Sequence, residues 1–355
     1  MRTLLYYCRN YFIKGAILTR KRATIKDVAE KAGVSPSTVS RVVGSYGYVK
    51  KSTRNKIQRV IVDLDYKPNT LARSMITKST KTIGVIVTDI TNPFFASVIR
   101  SIEDVLWESG YTILLANTDE NVEREKIVIT EIMQRQVDGI ILVPSTSKKK
   151  SHLDLIVNQG IPLILVDRMV EDLSVDSILV DNEYGAFTAV SHMIQKGHTC
   201  IGMVIDNLNI STNNERLDGY KKAITSSGLI FDPGLIKSCK FTSKSAFELV
   251  SQMLSDSNRP SALFGANNFM TLGILQAIVK ADLRIPNDIS LVGFDDISWF
   301  SSGSQQVSTV SQPVHDIGSI AAKRIISRLN GDYNPPMEIR LETRFIDRGS
   351  CSSLK

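Results

Sequence analysis

Two different patterns of hydrophobic residues follow one another along the 355-residue chain. From residue 24 to residue 64, apolar side chains recur at intervals of three and four, which is the period of amphipathic helices. Beyond residue 81, short apolar runs alternate with helical patterns; the runs are TIGVIV, YTILLA, GIILV, PLILVD, SILVDN, CIGMVI, SALFGA and ISLVGF. Runs of this kind are typical of parallel strands covered on both faces. The patterns predict a small all-α head followed by an α/β core with parallel sheets.

Start and stop signals place three helices in the head. Thr24 can cap a first helix, with Asp27 three residues on, and Gly33 supplies the turn that ends it. Ser35 caps a second helix that has Pro36 at its first position. The three helices are expected at about 25–32, from 36 onward, and at about 52–64. Two short helices joined by a glycine turn predict a helix-turn-helix, whose second helix fits the major groove of DNA.

Charge separates the same two regions. Residues 1–80 carry 17 Lys and Arg against 4 Asp and Glu, a net charge of +13, whereas residues 81–355 carry a net charge of −6. A basic module beside a mildly acidic one suits a polyanionic partner for the first and a different task for the second. Double-stranded DNA is therefore the expected partner of the head.

The segment 24–76 resembles the head of the LacI/GalR family of bacterial transcriptional regulators, the family of the lac and purine repressors. The matching segments are ATIKDVAEKAGVS, TVSRVV, TR, YKPN and LARSM, followed in the core by NPFF, VDGIILVPS, VDR, RLDGY, ISLVGFDD and TVSQP. The resemblance covers nearly the whole chain from residue 24. It implies a periplasmic-binding-protein-like core of two lobes, which agrees with the strand, helix, strand order that occurs twice beyond residue 81.

The resemblance also assigns residues to the DNA interface. Base reading falls on Pro36, Ser37 and Arg41, and an arginine can bind guanine through two hydrogen bonds. The positions nearer the DNA backbone are Thr24, Ser35, Thr38, Ser40 and Tyr48. The family's usual Asn after the second helix is Gly44 here, so we expect one phosphate or cap contact to be missing.

The segment 69–76 resembles the family's hinge helix, which is too short to be stable alone and is expected to order only on DNA. Its assigned DNA contacts are Asn69, Ala72 and Met75. Met75 occupies the position of an apolar wedge that enters the minor groove at the centre of the operator.

Polar residues that follow the core strands are expected to line the cleft between the lobes. The family's effector contacts, together with the neighbouring arginine, fall on Asn92, Phe94, Asp167, Arg168, Arg216, Phe241, Asn267 and Asp295. Carboxylates, amides and guanidinium groups beside aromatic rings suit a sugar or a sugar acid. Relatives commonly carry Asn-Asp where this chain has Asn267 and Asn268, and this loss of a negative charge favours an anionic effector.

Other classes of function have less support. The chain contains no G-x-G-x-x-G, P-loop or G-x-S-x-G motif, and its four His and four Cys lack metal-ligand spacing. We therefore expect no catalytic residues, no metal and no cofactor other than the effector. His198, in a K-G-H turn, is expected to bond to the backbone. A reduced cytoplasmic setting and no membrane association are expected.

The domain organisation follows from these assignments. The expected segments are an extension at 1–22, a DNA-binding domain at 23–67, a hinge and linker at 68–80, a first lobe at 81–181 with 312–339, and a second lobe at 182–311 with 340–355. The extension is expected to be either a disordered basic arm or the result of a start codon assigned too early.

Three readings of function remain at this point. The first is a repressor of a catabolic operon that binds a palindromic operator as a homodimer and responds to a small molecule. The second is a sugar-binding transport component with a vestigial head, which the intact head and the absence of an export signal oppose. The third is a regulator controlled by a partner protein, a phosphocarrier co-regulator, rather than by a sugar.

Overall fold

The computed structural model describes residues 23–44, 46–67, 79–148, 151–256, 258–302 and 306–354. The chain divides into two compact units, Met1–Thr80 and Lys81–Lys355. Within the described residues, no helix is both long and apolar enough to cross a membrane. The extension 1–22 and the predicted hinge contacts Asn69, Ala72 and Met75 lie outside the described residues.

The head consists of three helices, α1 (Ile25–Ala32), α2 (Pro36–Gly44) and α3 (Lys51–Asp63). Thr24 caps α1 through a reciprocal pair of hydrogen bonds with Asp27, and Gly33 ends it in the left-handed conformation, with φ of 63°. The apolar faces of the three helices share one small core; its buried members are Val28, Ala29, Ala32, Val39, Val42, Ile57 and Val60. The predicted all-α head is confirmed.

The second unit begins with strands and helices in alternation. Its first part contains β1 (Thr82–Val87), α4 (Pro93–Glu108), β2 (Thr112–Asn117), α5 (Val122–Gln134), β3 (Gly139–Leu142), α6 (Ser151–Asn158), β4 (Leu163–Val166) and β5 (Asp176–Val180). Its second part contains α7 (Asn182–Gln195), β6 (Ile201–Ile205), α8 (Ser211–Ser226), β7 (Ile236–Ser238), α9 (Ser243–Leu254), β8 (Ala262–Gly265), α10 (Asn268–Lys280), β9 (Ser290–Phe294), α11 (Ser298–Ser301) and β10 (Ser308–Ser311). The last elements are α12 (Val314–Leu329), β11 (Glu338–Leu341) and β12 (Arg344–Ile346).

These elements form two lobes with matching sheets. The first sheet has the order β11-β5-β4-β3-β1-β2 and the second β12-β10-β9-β8-β6-β7. Every pairing is parallel except that of β10 with β12. Each sheet has a hydrophobic core on both faces; in the first lobe, α4 and α12 cover one face and α5 and α6 the other. The predicted two-lobed α/β core is confirmed.

The predicted change of lobe between residues 339 and 340 was wrong by two residues. It falls inside β11, which pairs with β5 of the first lobe as far as Leu341. The chain then enters β12 of the second lobe at Arg344, so only Glu342 and Thr343 separate the two strands. A connection of two residues carries too little turn composition to be located from the sequence pattern.

Candidate functional site

The candidate DNA-reading surface is the exposed side of α2. Its first turn carries a group of hydroxyls: the Ser35 hydroxyl lies 2.8 Å from that of Ser37 and 2.9 Å from that of Thr38, and it accepts a hydrogen bond from the Thr38 N–H at 3.2 Å. The last bond makes Ser35 the cap of α2, as predicted. Because a hydroxyl has one hydrogen and two lone pairs, Ser37 keeps hydrogen-bonding capacity for a base edge.

The other predicted DNA contacts surround this turn. Pro36 and Arg41 are exposed, and Tyr48 has 89% of its surface exposed. Thr24 lies at the start of α1, where its hydroxyl donates to Asp27 at 2.8 Å. The structure thus places these side chains at accessible positions; their contacts with DNA remain predictions.

Tyr46 is a part of this surface that the sequence analysis missed. Its hydroxyl lies 2.6 Å from the Ser40 hydroxyl, and its ring lies over Gly44. A Cβ added to Gly44 would come within 2.4 Å and 2.5 Å of two Tyr46 ring carbons, so no larger residue fits without moving the ring. Gly44 lacks the DNA or cap contact expected of the family's Asn, but it also leaves space for the ring of Tyr46. The Tyr46 hydroxyl in turn holds the Ser40 side chain of α2.

In the core, all eight predicted effector residues line one cavity between the lobes; its empty space is about 330 Å³, including the part that is open to solvent. Five further residues complete its lining: Phe95, Asp206, Thr212, Asn213 and Gln312. Most of the polar side chains follow strands or cap helices, because the parallel sheets end at the interlobe edge. Asn92 caps α4, and Asn267 caps α10 by accepting from the Met270 N–H at 3.0 Å.

Two aspartates occupy equivalent places in the two lobes. Asp167 follows β4 and Asp295 follows β9, and both have left-handed backbone conformations, with φ of 68° and 71°. The Asp295 Oδ1 accepts from Gln312 Nε2 at 2.6 Å, and its Oδ2 accepts from the Asn268 N–H at 3.2 Å. Burial raises the pKa of Asp167 to about 6, against the opposing effect of nearby Arg168 and Arg216.

The second lobe adds another acid to the cavity. Asp206 follows β6, and its carboxylate accepts from the Asn213 side chain. Burial raises the pKa of Asp206 to about 6 as well, and Arg168 opposes the rise. The rule that polar residues follow apolar strands applies to Asp206 as it does to Asp167, and would have found it.

The two arginines are held in different ways. Arg168 donates to both carboxylate oxygens of Glu120, at 2.7 and 2.8 Å, and to the Pro144 carbonyl at 3.1 Å. Arg216 donates to the Asn182 side chain at 2.8 Å and to the Ala266 carbonyl at 2.7 Å. Its guanidinium carbon lies 3.8 Å from the centre of the Phe294 ring.

The charge balance of the lining gives no support to the expectation of an anionic effector, which stays a prediction. Three aspartates and two arginines line the cavity, and one of these arginines is already paired with Glu120. The substitution that suggested an anion, Asn268, does not line the cavity. Its Nδ2 instead donates to Asn92 Oδ1 at 2.6 Å, which joins the two lobes beside the cavity.

Three buried polar atoms of the lining have no hydrogen-bond partner among the described residues: Asp167 Oδ1, Arg168 Nε and Gln312 Oε1. Buried polar groups are normally satisfied, so unsatisfied atoms that border one cavity indicate a place for a ligand with both donors and acceptors. The rings of Phe94, Phe95 and Phe241 supply the apolar part of the wall.

Two predictions about other titratable groups can be compared with the part of the chain that the structure describes. The His198 ring lies 3.1 Å from the Ser352 carbonyl through Nε2, which agrees with the predicted backbone bond. In the described parts of the chain, no group of three or more His, Cys, Asp or Glu side chains could hold a metal ion.

Comparison with known proteins identifies the family of this chain. Residues 24–69 match the model of bacterial regulatory proteins of the lacI family, and residues 190–351 match that of the periplasmic binding protein-like domain. Over 333 residues the chain is 33% identical to the ribose operon repressor of Haemophilus influenzae, which covers 94% of this chain and 100% of that protein. The chain belongs to the lacI family.

Two solved structures of lacI-family proteins resemble the structure of this chain. The lac repressor dimer bound to operator and the anti-inducer ONPF has a TM-score of 0.84 and 25% identity, covering 94% of this chain and 100% of that one. A regulator from Enterococcus faecium with bound ribose has a TM-score of 0.70 and 28% identity, covering 77% of this chain and 100% of that one.

Membership of the lacI family makes this protein a DNA-binding transcriptional regulator. The prediction that it is not an enzyme is confirmed, because its relatives are named as repressors. The transport reading is excluded on the same ground.

Proposed function

We propose that this protein represses a catabolic operon, that it binds a palindromic operator as a homodimer, and that its effector is a neutral sugar, with D-ribose the first candidate. It would act in the cytoplasm, where its DNA target lies. The palindrome follows from the symmetry of a dimer that presents two identical heads. The similarity to a lac repressor dimer bound to operator supports this arrangement.

One observation carries the effector proposal. Asp167, Arg168 and Gln312 each have a buried polar atom that finds no partner among the described residues, and all three border one cavity. A sugar offers several hydroxyls that donate and accept at short spacing, so one molecule can satisfy a carboxylate, a guanidinium N–H and an amide oxygen together. The apolar faces of a sugar ring match the three phenylalanine rings of the wall.

The relatives support ribose within the class of sugars. One is named as a ribose operon repressor, and a solved lacI-family regulator contains bound ribose.

The experiment is thermal unfolding of the full chain with D-ribose, D-xylose, D-glucose and hypoxanthine. A ligand that binds only the folded state at 100 times its Kd adds about 2.7 kcal/mol to the free energy of unfolding. We expect D-ribose to raise the Tm of the wild type and to leave that of Asp167→Ala unchanged.

The matched control is Asp104→Ala, which removes an exposed carboxylate that pairs with Arg100 at 2.7 Å on α4. This variant should respond to D-ribose as the wild type does. A folded wild type that responds to none of the sugars would contradict the proposal and favour control by a partner protein.

A further inference from the structure

Glu120 lies behind the cavity wall and is bonded to one of the residues that form it. It follows β2 in a loop with left-handed backbone conformation, φ of 54°, and its side chain is 19% exposed. Its two carboxylate oxygens accept from the two terminal nitrogens of Arg168, Nη1 and Nη2. Fork-to-fork pairing of this kind is the strongest arrangement between these two groups.

This pairing decides which part of Arg168 faces a ligand. The terminal edge of the guanidinium, which binds carboxylates and phosphates with two parallel hydrogen bonds, is occupied by Glu120. Nη1 also donates to the Pro144 carbonyl. Nε, which lies 3.4 Å from Asp167 Oδ2, has no hydrogen-bond partner among the described residues. Of the five N–H groups of Arg168, three are bonded to Glu120 and Pro144, so that Nε–H and the second N–H of Nη2 remain for a ligand. They belong to a guanidinium whose charge Glu120 already balances, which suits hydroxyl oxygens better than an anion.

The pairing also decides the charge that a ligand meets. With Glu120 included, the site contains four carboxylates and two guanidinium groups, those of Arg168 and Arg216. The other three carboxylates belong to Asp167, Asp206 and Asp295. Arg168 is only 4% exposed, so solvent screens these charges weakly. An anionic sugar would have to displace Glu120 from Arg168 or enter a cavity of net negative charge.

We propose that Glu120 is a specificity-determining residue: by occupying the terminal edge of Arg168 and cancelling its charge, it restricts the cavity to uncharged sugars and excludes sugar acids and sugar phosphates. Glu120 is a positioning residue in this role, since it acts through Arg168. The inference rests on the proposed sugar-binding function and adds the basis of its selectivity.

The test uses the full chain and two variants. Glu120→Gln removes the charge of the cancelling group while its amide oxygen can still accept one hydrogen bond from Arg168. Glu123→Gln is the matched control, because it removes a carboxylate three residues away that is 73% exposed and paired with Lys126 at 2.8 Å. Calorimetric titration with D-ribose, D-ribonate and D-ribose 5-phosphate gives the Kd of each ligand.

We expect the wild type and Glu123→Gln to bind D-ribose much more tightly than either anion. In Glu120→Gln the ratio of the Kd for D-ribonate to that for D-ribose should fall at least tenfold, with a loss of D-ribose affinity below fivefold. An unchanged ratio in a folded Glu120→Gln protein, or an equal change in Glu123→Gln, would overturn the inference.

A second variant covers the case in which Glu120→Gln does not fold. Glu120→Asp keeps the charge but shortens the side chain by one methylene, so that one terminal nitrogen of Arg168 loses its acceptor. The same ratio should fall at least threefold, and the wild-type ratio in this variant would overturn the inference. A wild type that binds no neutral sugar would instead contradict the proposed function itself.

Discussion

The candidate residues of the described head lie within 25 consecutive positions, from 24 to 48, whereas those of the cavity extend from position 92 to position 312. Between residues 24 and 46, the side-chain hydrogen bonds that the described residues make join positions no more than six apart. Beside the cavity, Asn92, which lines it, and Asn268 are joined across 176 positions. The DNA-reading surface therefore consists of residues close together in the sequence, whereas the topology of the two sheets brings together the distant residues of the cavity.

The two regions also differ in the burial of their polar groups. The hydroxyls of α2 are exposed and keep hydrogen-bonding capacity for DNA while bonded to one another. Asp167 and Asp206 are buried at the cavity, and this burial raises the pKa of each. A local change in the head should therefore alter DNA binding alone, while a change in the cavity should alter effector binding and its pH dependence.

The largest effect in the head is expected from Arg41→Ala. Loss of an arginine that binds a guanine through two hydrogen bonds should weaken operator binding by about 1–3 kcal/mol and relax the preference at one base pair. Fluorescence anisotropy with operator and random duplexes measures both. Lys31→Ala removes the same charge from a site paired with Asp63 and serves as the control. Equal losses on operator and random DNA would contradict base reading by Arg41.

A smaller effect is expected from pH at the cavity. Sugar hydroxyls donate to an ionised carboxylate, so D-ribose should bind the form in which Asp167 is deprotonated. Because the pKa of Asp167 is raised to about 6, the Kd for D-ribose should rise about tenfold between pH 7 and pH 5. Calorimetric titration across this range measures it, and a Kd that is flat with pH would contradict the role of Asp167.

The raised pKa of Asp167 affects the stability of the ligand-free protein in the opposite direction. The folded-state pKa of Asp167 lies above its ordinary value of 3.8, so the folded state binds more protons between pH 3.8 and about 6. The contribution of this group to the free energy of unfolding therefore grows as the pH falls through that window. D-ribose affinity and ligand-free stability should move in opposite directions as far as Asp167 is concerned.

The smallest effect is expected from Gly44→Asn. The added Cβ would displace the Tyr46 ring and break its hydrogen bond to Ser40, which is worth about 0.5–1.5 kcal/mol. Operator affinity should fall several-fold, and Tyr46→Phe, which removes only the hydroxyl, should reproduce most of the loss. An operator affinity that neither variant changes would show that Ser40 does not need Tyr46.

The head could be predicted from the sequence almost residue by residue. Caps, a glycine turn and a proline at a helix start act within a few positions, as at Thr24 and Ser35. Tyr46 was missed because its contact with Ser40 depends on the space above Gly44, and the pattern of apolar residues does not report such space.

The cavity could be predicted only in part. Asp167 and Asp295 follow predominantly apolar strands and were found by that rule. Gln312 was missed because it follows β10, a strand of four residues that carries Ser and Thr. The charge balance of the cavity could not be predicted because the pairing of Arg168 with Glu120 spans 48 positions and two loops, and no local pattern indicates it.

The central claim is that a sugar in the cavity controls DNA binding by the head. The most direct test selects an operator from random DNA with the full-length protein and measures its Kd with and without D-ribose, for the wild type and for Asp167→Ala. D-ribose should change the Kd of the wild type and leave that of Asp167→Ala unchanged, and by linkage the operator should change the D-ribose affinity by the same factor. An operator affinity that D-ribose leaves unchanged in the wild type, despite measurable D-ribose binding, would contradict the account.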